Sequence, residues 1–169
     1  SPDRHGIHPQ THLKSYTGIL QADAFAGYDK VYESGRVIEA GCWAHARRKF
    51  YDVHVKDATP ITTYVLERLA QLYKIESGIR GSPPDVRRDA RQQYAKPILT
   101  TLHAWLRELP TVSRRSKTTE TITYAMNQWQ ALTRYLVDGR IEIDNNVAEP
   151  AVRGVALGRK NYLFLGSDA

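Results

Sequence analysis

The chain has 169 residues, enough for one domain with a packed core or one domain carrying an insert. Its composition, 41% hydrophobic and 25% charged, is ordinary for a globular protein; no apolar run is long enough to span a bilayer, and Ser1-Pro2-Asp3-Arg4 does not open a signal peptide. Lys and Arg number 24 against 18 Asp and Glu, giving +6 and a pI near 9.5, which fits a polyanionic partner; the one cysteine, Cys42, excludes an internal disulfide framework and suits a reducing cytoplasm.

Residues 1–15 are polar and broken by Pro2, Gly6 and Pro9, which predicts a loop ending in a short helix. His5, His8 and His12 share a helical spacing, but the breakers interrupt it and they read as solvated loop histidines. Gly18-Ile19-Leu20-Gln21-Ala22-Asp23 is a short apolar run ending in an acid, the pattern of a buried strand with Asp23 at its C-terminal end. In α/β sheets ligands bind at that edge, so Asp23 is a candidate site residue; the plainer reading is a turn. Residues 28–33 form a predicted short helix closed by Ser34-Gly35, and residues 37–42 a second strand.

The segment Cys42-Trp43-Ala44-His45-Ala46-Arg47-Arg48-Lys49-Phe50 follows. Cys42 and His45 have the spacing of half a zinc site without a second half, so a structural zinc is not expected. Arg47, Arg48 and Lys49, flanked by Trp43 and Phe50, are a candidate DNA contact: such a cluster can grip phosphates and stack on bases. It can equally be the wet side of a helix whose Trp43, Phe50 and Val53 are core.

Residues 59–139 then read as continuous helix. Thr59-Pro60 caps a first helix with the stripe Ile61, Val65, Leu69, Leu72 and Ile79, stopped by Gly81. Ser82-Pro83-Pro84-Asp85 opens a second with the stripe Val86, Ala90, Tyr94, Ile98, Leu102, Trp105, Leu106 and Leu109, with a kink predicted at Pro97. A third starts near Ser116 or Thr118, carries Ile122, Ala125, Met126, Trp129, Leu132 and Leu136, and ends at Gly139. Three such helices predict a small bundle.

Ile141-Glu142-Ile143 restores a strand-like alternation. Asp144, Asn145 and Asn146 are residue types that cap a helix N-terminus, and Glu149 would lie in the first turns with Arg153 at i+4. Arg153, Arg159 and Lys160 add a basic edge, and residues 162–165 an apolar strand or packing segment. Asp23 and Glu149 stand 149 − 23 = 126 positions apart, mostly across helix. They can meet only if the helices are an insertion into one α/β domain. Two carboxylates around a divalent ion are what in-line phosphoryl transfer requires, and magnesium suits such a site.

The runs GILQADAFAGY, CWAHARRKF, EIDNNVAEPAVR and GRKNYLFLGSDA, in that order, closely resemble the transposases of the bacterial insertion-sequence family numbered sixty-six. That resemblance covers essentially the whole chain. It implies an α/β, helix-rich, RNase H-like domain, incomplete at both ends and interrupted by an all-helical insertion: residues 1–58 and 141–169 catalytic domain, 59–140 insertion. It implies a DDE triad in which Asp23 matches the second acid and Glu149 the third, both as catalytic residues and ligands of Mg2+ or Mn2+. It also implies transposon-end and target DNA as partners, with a homo-oligomer compatible and no membrane. The Cys42-x-x-His45 pair resembles a family signature and reads as positioning. Arg47, Arg48, Lys49, Arg153, Arg159 and Lys160 are the expected DNA contacts. Two features depart from the family: Asp3 does not match the first acid, and Pro150 stands where Arg usually follows the third. The 169-residue chain alone is therefore expected not to catalyse strand cleavage and transfer. The competing reading is a non-catalytic, basic DNA-binding remnant. A purely helical interaction module is disfavoured by the strand-like runs at 18–23 and 37–42.

Overall fold

The structure, a computed structural model, describes residues 11–22, 26–109 and 116–146. It begins with strand β1 (Gly18–Gln21), a 3-10 turn (Ala26–Tyr28) running into α1 (Asp29–Glu33), and strand β2 (Val37–Ala40). The two strands pair in parallel, Gly18 beside Val37 and Gln21 beside Ala40, so this opening is a small β-α-β unit. Gly35, at φ +70°, makes the turn that ends α1. The rest is helical: α2 (Trp43–Lys56), α3 (Pro60–Ile79), α4 (Pro84–Ala90), a π-turn (Arg91–Ala95), α5 (Lys96–Glu108), α6 (Lys117–Asn127), α7 (Trp129–Thr133) and a final 3-10 turn (Arg134–Leu136).

The predicted caps hold where side chains can reach. Thr59 Oγ1 accepts from Thr62 N while the Thr62 hydroxyl accepts from Thr59 N, and Pro60 takes the first helical position. Gly81, at φ +79°, terminates α3, and Ser116 caps α6 through Thr119 N. The second helix differs: Pro83, not Ser82, is its N-cap, and no side chain satisfies that end.

One core runs through strands and helices. Trp43, Ala46 and Phe50 of α2 meet Val65, Leu69 and Leu72 of α3, Leu99, Leu102 and Leu106 of α5, and Leu132, Tyr135 and Leu136. Burying each large apolar side chain stabilises the fold by about 1.5–3 kcal/mol. Trp43 also donates from Nε1 to Leu132 O at 2.9 Å and meets Trp129 edge-on, fastening α2 to α7.

Four sequence expectations change. Val86 and Tyr94 are exposed, at 48% and 55%, although the periodicity assigns them to the core. The cause lies at Pro97, which has no N–H; the kink expected there is a π-turn immediately before it, in which Lys96 N donates to Arg91 O. The extra residue in that turn rotates the preceding helix, so Arg91 and Ala95 face inward instead. The third helix is not continuous: Gln128 leaves helical geometry, and α6 and α7 are separate pieces. Residues 141–143 are not a strand. Ile141 and Ile143 are buried and Glu142 is exposed, as the alternation requires, but none of the three pairs with a strand. Helical structure already ends at Leu136, so Gly139 is not the expected helix stop; a Cβ there would lie 1.6 Å from Pro84 O, and only glycine lets the two backbones approach.

Among the described residues, Arg91 is the largest charged side chain that is fully buried. Its guanidinium is fully buried and grips Glu76 with two bonds of 2.8 Å, Nε to Oε1 and Nη2 to Oε2. Nη1 donates to Tyr135 O and Ile141 O at 3.0 and 2.9 Å. Glu76→Ala leaves this cation buried without its partner and is expected to cost about 3–5 kcal/mol, measured by urea unfolding; a change under ~1 kcal/mol contradicts the assignment.

Candidate functional site

The return segment 141–146 lies against the C-terminal ends of β1 and β2. Gln21, the last residue of β1, donates from Nε2 to Gly41 O at 3.0 Å and to Glu142 O at 2.8 Å. Trp43 N donates to Ile143 O at 3.1 Å. With Arg91 on Ile141 O, three successive carbonyls are thus satisfied by donors from β1, α2 and the π-turn. Gly41 bends the chain between β2 and α2, and a Cβ there would come within 2.9 Å of Leu132 N.

Beyond Ile143 the contacts become side-chain specific. Asp144 is buried; its Oδ2 accepts from Tyr73 Oη at 2.9 Å and Asn146 Nδ2 at 3.0 Å, and its Oδ1 accepts from Asn146 N at 3.1 Å, an Asx turn. Burial, then the Asp144 charge, push the Tyr73 hydroxyl far above its usual range, so it remains a donor. Cys42 donates from Sγ to Asn145 Oδ1 at 3.0 Å. Burial raises the Cys42 thiol, and the backbone N–H groups of Asn145, His45 and Ala44 offset this only in part. Glu142 carries a two-bond pair from Arg87 at 2.8 and 2.6 Å.

Two adjoining hollows flank the segment. One, of about 560 Å³, is lined by Ala44, Arg47, Arg48, Tyr51, Ala70, Tyr73 and Asn146. The other, of about 500 Å³, shares Tyr73 and Asn146 and adds Arg80, Arg87 and Asp144. Lys49 stands apart from the first, with Nζ 4.6 Å from the centroid of the Tyr124 ring. Trp43 and Phe50 are each 1% exposed and so cannot stack on bases; the exposed aromatic beside Arg47 and Arg48 is Tyr51.

The family model described as Transposase IS66 family matches residues 1–169. The chain belongs to the IS66 transposase family. Among its relatives are three proteins of Sinorhizobium fredii (strain NBRC 101917 / NGR234). Uncharacterized protein y4qI is 41% identical over 93% of this chain and 31% of its own length. Uncharacterized protein y4hP is 38% identical over 99% of this chain and 34% of its own length. Uncharacterized protein y4jD is 35% identical over 99% and 34%. The chain therefore spans about a third of the length of these curated relatives. No solved structure matches it.

Within this IS66 chain, Asp23, Glu149, Pro150, Arg153, Arg159 and Lys160 lie outside the described residues, as do His5 and His8. Of the expected site residues, Arg47 and Arg48 stand beside Asn146, and Cys42 and His45 open α2. Among the described residues no group of three His, Cys, Asp or Glu side chains could hold a metal ion. Asp144 is committed to Tyr73 and Asn146, Glu142 to Arg87, and Cys42 is held as a neutral thiol. These side chains do not form an ion-binding set. No sequence pattern marks Gln21, Tyr73, Asp144 and Asn145 as a site, because each is an ordinary polar residue whose partner is remote along the chain.

The buried, protonated Cys42 is expected to react with an alkylating reagent at pH 7 at least an order of magnitude more slowly in the folded chain than in the urea-unfolded chain, read by mass spectrometry. Equal rates contradict the Cys42–Asn145 contact.

Proposed function

We propose that this IS66-family chain is part of the catalytic domain of a DNA transposase, with Asp23 and Glu149 as the second and third acids of a DDE set. In this reading the domain is RNase H-like, residues 1–58 and 141–169 belong to it, and residues 59–140 are a helical insertion. The observation that carries the proposal is the return of residues 141–146 to the C-terminal ends of the parallel strands, after the whole helical excursion. Asp23 follows Ala22, whose N–H is bonded to Ala40 O across the strands. Glu149 follows by four residues Asn145, which is bonded to Cys42 at the start of α2. Four residues reach at most about 14 Å, so the chain lengths allow both acids to meet at one edge. That edge is where α/β sheets bind ligands.

Asp23 and Glu149 are the residues that would hold Mg2+ or Mn2+; bound there, the ion supplies charge neutralisation at the phosphate and activation of the attacking oxygen. The protein's own contribution is placement: Gln21, Trp43 and Arg91 hold the return segment, and Cys42 holds Asn145. Arg47 and Arg48 line a hollow beside Asn146, positions suited to DNA phosphates. Lys49, Arg153, Arg159 and Lys160 are further DNA contacts in this reading.

In the full-length protein, Asp23→Ala and Glu149→Ala are each expected to lower metal-dependent cleavage of transposon-end DNA by roughly 100-fold or more while leaving DNA affinity unchanged. A non-catalytic DNA-binding remnant predicts no change in either quantity. No acid within these 169 residues matches the family's first, so the chain assayed by itself is expected to be inert with magnesium or manganese, and strong cleavage by it overturns the triad assignment.

A further inference from the structure

The helical block does more than loop out and return. Tyr73, in the fourth turn of α3, reaches from the first helix of that block to Asp144, 71 positions later, at 2.9 Å. Asp144 is 8% exposed; among the described residues its bonds come from Tyr73 Oη, Asn146 N and Asn146 Nδ2, and no cation forms an ion pair with it. Burying a carboxylate is a costly way to fasten a chain. Fastening the chain here does not require one, because Ile141 and Ile143 on either side of Glu142 already bury against the core. What the carboxylate adds is orientation. It fixes the peptide N–H of Asn146 and the Asn146 side chain together, three residues before Glu149, and Tyr73 fixes the carboxylate. Cys42, at the start of α2, holds the neighbouring Asn145.

We propose that Tyr73 and Asp144 are positioning residues for the third acid: a latch through which the helical insertion sets the direction in which the chain leaves Asn146 toward Glu149. The inference rests on the assignment of Glu149 as that acid. It gives the insertion a part in the chemistry, in that loss of one hydroxyl on α3 alters catalysis although α3 supplies no ligand or reacting group. The latch acts through geometry; because Tyr73 also lines the hollow with Arg47 and Arg48, KM for DNA is read separately from kcat.

The test uses the full-length protein and four variants: Tyr73→Phe, Asp144→Ala, Glu149→Ala, and Tyr64→Phe as a hydroxyl deletion elsewhere on α3. Cleavage of transposon-end DNA is followed as kcat and KM and titrated with Mn2+, alongside DNA affinity and the urea midpoint. Tyr73→Phe is expected to lower kcat by roughly 10-fold, the size of losing one hydrogen bond to a charged acceptor, with KM for DNA unchanged and a higher Mn2+ concentration at half-activity. Asp144→Ala is expected to do the same more strongly, and Tyr64→Phe to match the parent. If Tyr73→Phe matches the parent while Glu149→Ala is dead, the latch is overturned and the role of Glu149 stands. If Glu149→Ala is fully active, the assignment of the third acid fails, and the latch fails with it. If the Tyr73→Phe loss follows the urea midpoint and disappears on cooling, with Mn2+ dependence unaltered, the hydroxyl is only structural and the proposal is overturned.

Discussion

A single guanidinium, that of Arg91, joins α3, the final 3-10 turn and the start of the return segment. Glu76 on α3 supplies its counter-charge, while Tyr135 O and Ile141 O take its remaining bonds as the last helix ends and the return segment begins. The ring of Tyr135 lies against it, with Cζ 5.0 Å from the centroid. A buried ion pair of this kind gives little net stability compared with well-packed apolar residues. Its contribution is geometric: carbonyls from two segments, Tyr135 O and Ile141 O, converge on one planar fork. The neighbouring Gln92, which donates to Leu136 O at 2.8 Å, fixes the same end.

The route taken by residues 137–146 follows from that constraint. Gly139 lets the backbone pass against Pro84, Arg87 holds Glu142 from α4, and Gln21 and Trp43 take the next carbonyls. Polar backbone that could have paired as a strand is instead satisfied by side chains and a helix N-terminus, which leaves the segment rigid without making it part of the sheet. At its far end Asp138 and Arg140 form an exposed pair, and the Arg140 bond holds the Asp138 carboxyl at about 2, below the usual carboxylate range. Exposure to solvent screens that pair, so the turn depends on Arg91 and Gly139 rather than on it.

Local chemistry was legible from the sequence, and long-range chemistry was not. The strands at 18–21 and 37–40, the Thr59-Pro60 start, the Gly81 stop and the Ser116 cap are written in residues adjacent to the features they create. The buried stripe of the second helix was half legible: Leu102 and Leu106 follow the 3.6-residue period, but the π-turn before Pro97 shifts its phase and seats Arg91 where periodicity assigns Tyr94. No hydrophobicity pattern assigns a core position to an arginine, because its burial depends on a glutamate 15 positions away and on carbonyls more than 40 away. The alternation of Ile141 and Ile143 correctly gave their burial but not their partners, since alternation reports which side chains face inward and says nothing of a ladder. Tyr73–Asp144, Gln21–Glu142 and Cys42–Asn145 were hidden for the same reason: each is a tertiary pair of unremarkable residues.

The IS66 assignment and the geometry meet at one point, the sheet edge to which residues 141–146 return. The family supplies the expectation that two acids act together; the described residues supply tethers that start one residue before Asp23 and four before Glu149. The most direct test is a crystal of the full-length protein soaked with Mn2+ and measured for anomalous scattering. The account predicts a peak held between the carboxylates of Asp23 and Glu149. A manganese site that involves neither, or the two carboxylates far apart in an ordered structure, contradicts it.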